Sequence, residues 1–95
     1  AGRFGGVRQK AEYVLRHLKQ TGRRPTGYVG GRNYGNRGPG MLPTHDRTGN
    51  TIRYKEYDVN PRVPGVNRGA ERMVVGSDGR AWITTDHYRS FHKLL

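Results

Sequence analysis

Helical periodicity appears once in this chain, and that single stretch limits the folds open to it. The apolar residues that recur at the spacing of one helix face are Val7, Ala11, Val14, Leu15 and Leu18. Thr21-Gly22 then ends the pattern as a C-terminal cap does. The spacing predicts an amphipathic helix over residues 7–20. Because one helix cannot bury its apolar stripe alone, the rest of the chain must supply a surface for it.

The remaining residues have the pattern of loops and short strands. Glycine and proline interrupt residues 22–50 so often that only a short strand near Tyr28 or Tyr34 fits there. From Thr51 onwards, β-branched and aromatic runs predict strands over residues 51–59, 72–76, 80–85 and 88–94. Asp78-Gly79 lies between two of these runs and signals a tight hairpin. The sequence therefore predicts an α+β fold, with one N-terminal helix packed on an antiparallel β-sheet.

Length and charge narrow the class of protein. Ninety-five residues with 32% hydrophobic content hold one small core, which excludes a multidomain enzyme. We expect a single domain over residues 1–95, with a flexible lead-in at residues 1–6. The 18 basic and 7 acidic residues give a net charge of +11, so nucleic acid is the first expected partner. The absence of cysteine excludes disulfides and thiolate zinc sites, and no apolar run reaches the roughly 18 residues of a membrane span.

Strand alternation brings candidate catalytic side chains to one face of the sheet. If Tyr57 and Val59 face the helix, Glu56 faces away from it, together with Tyr54 and Asp58. Arg72 of the next strand and His87 at a later turn can reach the same face. A carboxylate, a histidine and arginines can supply a general base, a general acid and phosphate clamps.

The same charged residues can also be ordinary surface residues with no catalytic role. Glu56 can pair with Arg53 or Lys55 on the surface, and the arginines can belong to a general basic coat. Trp82 and Phe91 lie in strand-like runs, where we expect packing and not base stacking.

Three segments and one loop carry a family resemblance. The segments are YKEYDV at 54–59, NRGAER at 67–72 and TTDHYRSF at 84–91, and the loop is YGNR at 34–37 followed by MLP at 41–43. They resemble the microbial guanyl-specific ribonucleases, the barnase-like family, from about residue 27 to Leu95. The resemblance implies the microbial ribonuclease fold and a metal-independent endoribonuclease that acts on single-stranded RNA without a cofactor.

The resemblance also implies a role for each matching residue. Glu56 is the general base that takes the proton of a ribose 2′-hydroxyl, and His87 is the general acid that protonates the departing 5′-oxygen. The product is a 2′,3′-cyclic phosphate, which water opens in a second step. Arg68 and Arg72 neutralise the charge on the phosphoryl oxygens, and Tyr88 donates a hydrogen bond nearby. The other histidines, which lie outside these roles, are His17, His45 and His92.

The base-recognition loop departs from the family pattern. By resemblance its substrate-binding residues are Tyr34, Gly35, Asn36, Arg37 and Gly38. In the family, a glutamate that accepts hydrogen bonds from guanine follows the Asn-Arg pair, whereas Gly38 follows it here. No acid lies between Glu12 and Asp46, and Gly38-Pro39-Gly40 predicts a different backbone path. We therefore expect the preference for guanine to be weak.

The biological setting is an expectation from the same resemblance. Ribonuclease domains of this kind also occur at the C-termini of bacterial toxins, and a chain beginning at Ala1 with a glycine-rich lead-in is expected of such a domain. The resemblance implies a monomeric enzyme that is secreted or delivered into a target-cell cytoplasm, with an acidic immunity protein as inhibitor. The alternatives are a free secreted ribonuclease and a non-catalytic basic RNA-binding module, which would function without His87.

Overall fold

The computed structural model describes residues 5–38 and 41–95, where one helix packs on a five-stranded antiparallel sheet. The elements are α1 (Gly5–Thr21), β1 (Gly30–Tyr34), β2 (Tyr54–Asp58), β3 (Arg72–Gly76), β4 (Ala81–Thr84) and β5 (His92–Lys93). Each strand pairs with the next one along the chain, so the order is β1-β2-β3-β4-β5. This arrangement confirms the α+β prediction.

Helix α1 buries the predicted stripe against the middle of the sheet. Its Val7, Ala11 and Val14 form the main core with residues of the strand side, which are Val59, Met73 and Ile83. The predicted cap is also confirmed, because the Gly22 amide donates to the Leu18 carbonyl at 2.7 Å and Gly22 has a φ of +75°.

The helix begins two residues earlier than the spacing predicts. Gly5 and Gly6, the end of the expected lead-in, are helical, and residues 1–4 of that lead-in lie outside the described residues.

The opposite face of the sheet carries a second, smaller core. Leu42, Ile52, Tyr54 and Val74 are buried there, and the half-buried rings packed against them are Tyr34, Trp82, Tyr88 and Phe91. The expected packing role of Trp82 and Phe91 is therefore confirmed. The sheet thus lies between two apolar clusters, and the predicted alternation of β2 and β3 holds in both.

The predicted strand bounds agree for β3, extend beyond the observed strand for β2 and β4, and are wrong at the C-terminal end. The second predicted run matches β3 over 72–76, and the hairpin closes through a hydrogen bond from the Gly79 amide to the Gly76 carbonyl. The predicted strand over 88–94 is wrong, because only His92 and Lys93 pair with β4. His87 and Tyr88 have φ values of +56° and +73°, which an extended strand cannot contain.

The edge strand β1 has an irregular register. A bulge between Gly30 and Arg32 shifts its pairing with β2, so Arg32 lies opposite Glu56. Gly30 must be glycine here, because a Cβ at this position would lie 2.6 Å from the Tyr57 ring. The bulge therefore decides which side chain of β1 faces Glu56.

Candidate active site

Glu56 lies on the face of β2 that points away from α1. Its side chain is 19% exposed, and its Oε1 lies 3.3 Å from Arg32 Nη2 on the edge strand. Neither Arg53 nor Lys55 forms an ion pair with it, so the surface pairing considered above is not the one observed. Arg32 is 65% exposed and keeps donors free for another anion.

Asp58 holds the two predicted phosphate-binding arginines. The Asp58 carboxylate is buried, with its Oδ2 at 2.9 Å from Arg68 Nη1 and its Oδ1 at 2.8 Å from Arg72 Nε. The register sets this contact, because Asp58 lies directly opposite Arg72 in the β2–β3 pair. One carboxylate therefore orients two guanidinium groups at once.

Arg72 is fixed by three further constraints. It is 7% exposed, and its Nη1 donates to the carbonyl oxygens of Gly69 and Glu71. The ion pair with Asp58 involves Nε, and these two hydrogen bonds involve Nη1, so Nη2 carries the donors that these contacts do not use. A guanidinium held in this way presents a preorganised pair of donors to a phosphoryl oxygen.

The loop after β4 presents His87 and Tyr88. Its centre is the Asp86 carboxylate, which accepts hydrogen bonds from the Thr84 hydroxyl, the Arg89 amide, and both the amide and the hydroxyl of Ser90. The hydrogen bonds from Ser90, followed by that from Thr84, lower the pKa of Asp86 to about 2. The loop is thus organised around an ionised carboxylate, which explains why residues 85–91 do not continue the sheet.

A backbone hydrogen bond connects this loop to residues 68–72, the segment that contains Arg68 and Arg72. The His87 amide donates to the Ala70 carbonyl, between Arg68 and Arg72, at 3.1 Å. The exposed His87 ring lies 4.9 Å from the Tyr88 ring, centroid to centroid. His87 therefore lies at the edge of the surface that carries the arginines.

Tyr88 lies between the charged groups of the site. Burial raises the pKa of its phenol, the nearby Glu56 carboxylate raises it further, and Arg72 acts in the opposite direction. The hydroxyl is buried close to the Glu56 carboxylate. Tyr88 is thus a neutral donor next to the proposed base.

The predicted recognition loop packs against the same region. The Tyr34 ring stacks on the Tyr88 ring, with centroids 4.8 Å apart. The Asn36 side chain closes the loop, because it donates to the Leu42 carbonyl at 2.9 Å and accepts from the Leu42 amide at 2.8 Å. Asn36 has a φ of +54°, a conformation that asparagine tolerates. Arg37 is exposed beside Gly35.

Gly38 lies close to the loop that carries His87. A Cβ built on Gly38 would lie 3.2 Å from the Tyr88 carbonyl oxygen and 3.7 Å from the Tyr34 hydroxyl. A larger residue there would push against the loop that carries His87. Pro39 and Gly40, where we expected the altered backbone path, lie outside the described residues.

Within residues 5–38 and 41–95, no three histidine or acidic side chains are grouped as metal ligands would be. In the same residues, no helix is long and apolar enough to cross a membrane.

The structure brings Glu56, Arg72 and Tyr88 together and places Arg68 and His87 at their border. It adds three residues that the sequence analysis gave no role, namely Arg32, Asp58 and Asp86. Strand alternation does put Asp58 on the face of Glu56, and two nearby arginines were a signal for its pairing. Arg32 had no such signal, because its register depends on the bulge in β1.

Comparison with protein families agrees with this geometry. A family model described as ribonuclease matches residues 5–94 of the chain. No curated protein matches it. The family match covers the helix, the sheet and the whole candidate site, and it favours the enzyme over the non-catalytic RNA-binding module.

Proposed function

Because this chain belongs to the ribonuclease family and is an endoribonuclease, we propose that it cleaves single-stranded RNA by transphosphorylation. Glu56 takes the proton of the 2′-hydroxyl, whose oxygen attacks the adjacent phosphorus. His87 gives a proton to the departing 5′-oxygen, and the bond to that oxygen breaks. The product is a 2′,3′-cyclic phosphate, which water opens with the two roles reversed.

One observation carries the proposal. The carboxylate of Asp58 fixes Arg68 and Arg72 on the face that also presents Glu56 and Tyr88. Guanidinium groups held in advance stabilise the negative charge that develops on phosphoryl oxygens during the reaction. The mechanism needs a 2′-hydroxyl as nucleophile, so DNA is not a substrate for it.

Cleavage of a short RNA with analysis of the new ends tests this function. We expect a 2′,3′-cyclic phosphate and a 5′-hydroxyl, with the same result in the presence of a metal chelator. The variant His87→Ala should lose about 10⁴-fold in rate, the upper range for a general acid. His17→Ala is the matched control and should cleave like the wild type. Products with a 5′-phosphate, or a folded and fully active His87→Ala variant, would contradict the mechanism.

We further propose that the enzyme is a monomeric toxin domain, secreted or delivered into a target cell. The net charge of +11 favours an acidic immunity protein that covers the active face. Such an inhibitor should bury Arg68, Arg72 and His87. A cross-linking or footprinting experiment on the complex would test this, since all three side chains staying accessible would refute occlusion of the site.

A further inference from the structure

Two clefts join along the edge of the sheet at β1 and β2. The first, of about 690 Å³, begins at Tyr34, Gly35 and Asn36 of the recognition loop. The second, of about 540 Å³, ends at the turn after α1, where Arg23 and Arg24 lie. Lys55 and Tyr57 line both clefts, so the two form one continuous surface, here termed the edge groove.

The edge groove is strongly basic. Four cations line it, and these are Arg23, Arg24, Arg53 and Lys55, whereas none of the seven acids of the chain does. The side chains of Arg23, Arg53 and Lys55 are exposed and form no ion pair with any described residue. Cations that are grouped without carboxylates repel each other unless an external anion is present.

Aromatic rings are interleaved with these cations. Tyr57 forms part of the wall of both clefts, and Tyr28 lines the second one. The bulge leaves two glycines, Gly30 and Gly31, beside the Tyr57 ring, so no side chain of β1 covers it from that direction. Rings alternating with cations bind single strands, because bases stack on the rings while the cations follow the phosphates.

We infer that the edge groove binds the nucleotides of a single-stranded RNA that extend beyond the recognised base. This inference rests on the proposed function, since the groove starts at the recognition loop and leads away from it. Lys55 and Tyr57 point to the helix side of β2, opposite Glu56. The RNA therefore passes over β1, which is the edge strand of the sheet in the described part of the chain. The groove therefore favours long RNA over dinucleotides and takes no part in the chemistry.

A charge-matched pair of double variants tests the inference. Arg23→Gln with Arg53→Gln removes one cation from each cleft, and Arg16→Gln with Lys19→Gln removes two from a separate cleft that contains Glu12. All four side chains are exposed, so both variants should unfold at the wild-type temperature. The probe is a 2′-deoxy oligonucleotide of about twelve nucleotides, which the enzyme cannot cleave.

We expect an effect only in the groove variant, which is the double variant Arg23→Gln with Arg53→Gln. Loss of two phosphate contacts should lower the slope of log affinity against log salt by about 1.4, at about 0.7 for each contact with a single strand. Cleavage of long RNA should fall while cleavage of a dinucleotide stays at the wild-type rate. The control double variant, Arg16→Gln with Lys19→Gln, should retain the wild-type salt slope and the wild-type cleavage rates on long RNA and on the dinucleotide.

Two other results would overturn the inference. Equal losses in both double variants would show that only the total charge matters. Unchanged oligonucleotide binding in the groove variant would exclude RNA and leave an acidic protein as the partner of this surface. If the wild type binds the oligonucleotide through the groove but cleaves no RNA, the groove stands and the proposed function fails.

Discussion

The catalytic face and the recognition loop match the family pattern to different degrees. On the catalytic face, Glu56, His87, Arg68 and Arg72 stand where the resemblance places the general base, the general acid and the phosphate-binding arginines, and Asp58 holds both arginines. In the recognition loop, Asn36 closes the turn, but Gly38 stands where the family has its guanine-binding glutamate. The two regions touch, since Gly38 packs against the Tyr88 carbonyl.

The difference separates two tasks of a ribonuclease. Transfer of the phosphoryl group needs a general base, a general acid and fixed cations. None of these groups depends on which nucleobase the RNA carries. Discrimination between nucleobases needs a polar group of the protein that forms hydrogen bonds with the correct nucleobase and stays unpaired when a wrong nucleobase is bound. In the proposed mechanism this chain has the groups for the first task, whereas Gly38 offers no carboxylate for the second.

After His87→Ala, the largest effect on the catalytic face is expected for Glu56→Gln. This change removes the group that accepts the 2′-hydroxyl proton, and cleavage should slow by about 10²- to 10⁴-fold. Initial rates on a dinucleotide measure it, with Glu12→Gln on the outer face of α1 as control. A Glu56→Gln variant that cleaves at the wild-type rate would assign the base to another residue.

Asp58→Asn should weaken both the fold and the site. It leaves Arg72 buried without its anion, and breaking a buried ion pair in this way costs about 3 kcal/mol of unfolding free energy. Urea unfolding measures the loss, and Glu12→Gln removes an equal charge from an exposed position. Equal unfolding free energies in these two variants would mean that Asp58 does not hold the arginines.

The loop of His87 should become less stable in acid. The folded pKa of Asp86, about 2, lies below its ordinary value of 3.8, so its contribution is complete above pH 3.8 and disappears as the pH falls through 2. The difference in stability between the wild type and Asp86→Asn should therefore shrink over that range. A difference that is constant from pH 6 to pH 2 would show that the ionised carboxylate does not stabilise this loop.

Local patterns were sufficient for much of the fold. The helix stripe, the hairpin at Asp78-Gly79 and the faces of β2 and β3 depend on neighbouring residues, and all three are confirmed. The predicted strand over 88–94 was wrong because the Asp86 carboxylate accepts hydrogen bonds from Ser90 and closes a loop. Hydrophobic periodicity does not reveal such a loop. The Arg32–Glu56 pair was missed because a bulge, and not alternation, sets the register of β1.

The central claim is that the chain has the groups for cleavage but lacks the carboxylate that would select guanine. Initial cleavage rates on four dinucleotides that differ only in the 5′ nucleobase test this claim. We expect a 2′,3′-cyclic phosphate from all four, with the guanine substrate favoured by less than about 10²-fold. Gly38→Glu should not restore selectivity, because its Cβ would meet the Tyr88 carbonyl oxygen at 3.2 Å. Exclusive cleavage of the guanine dinucleotide by the wild type, or products other than cyclic phosphates, would contradict the account.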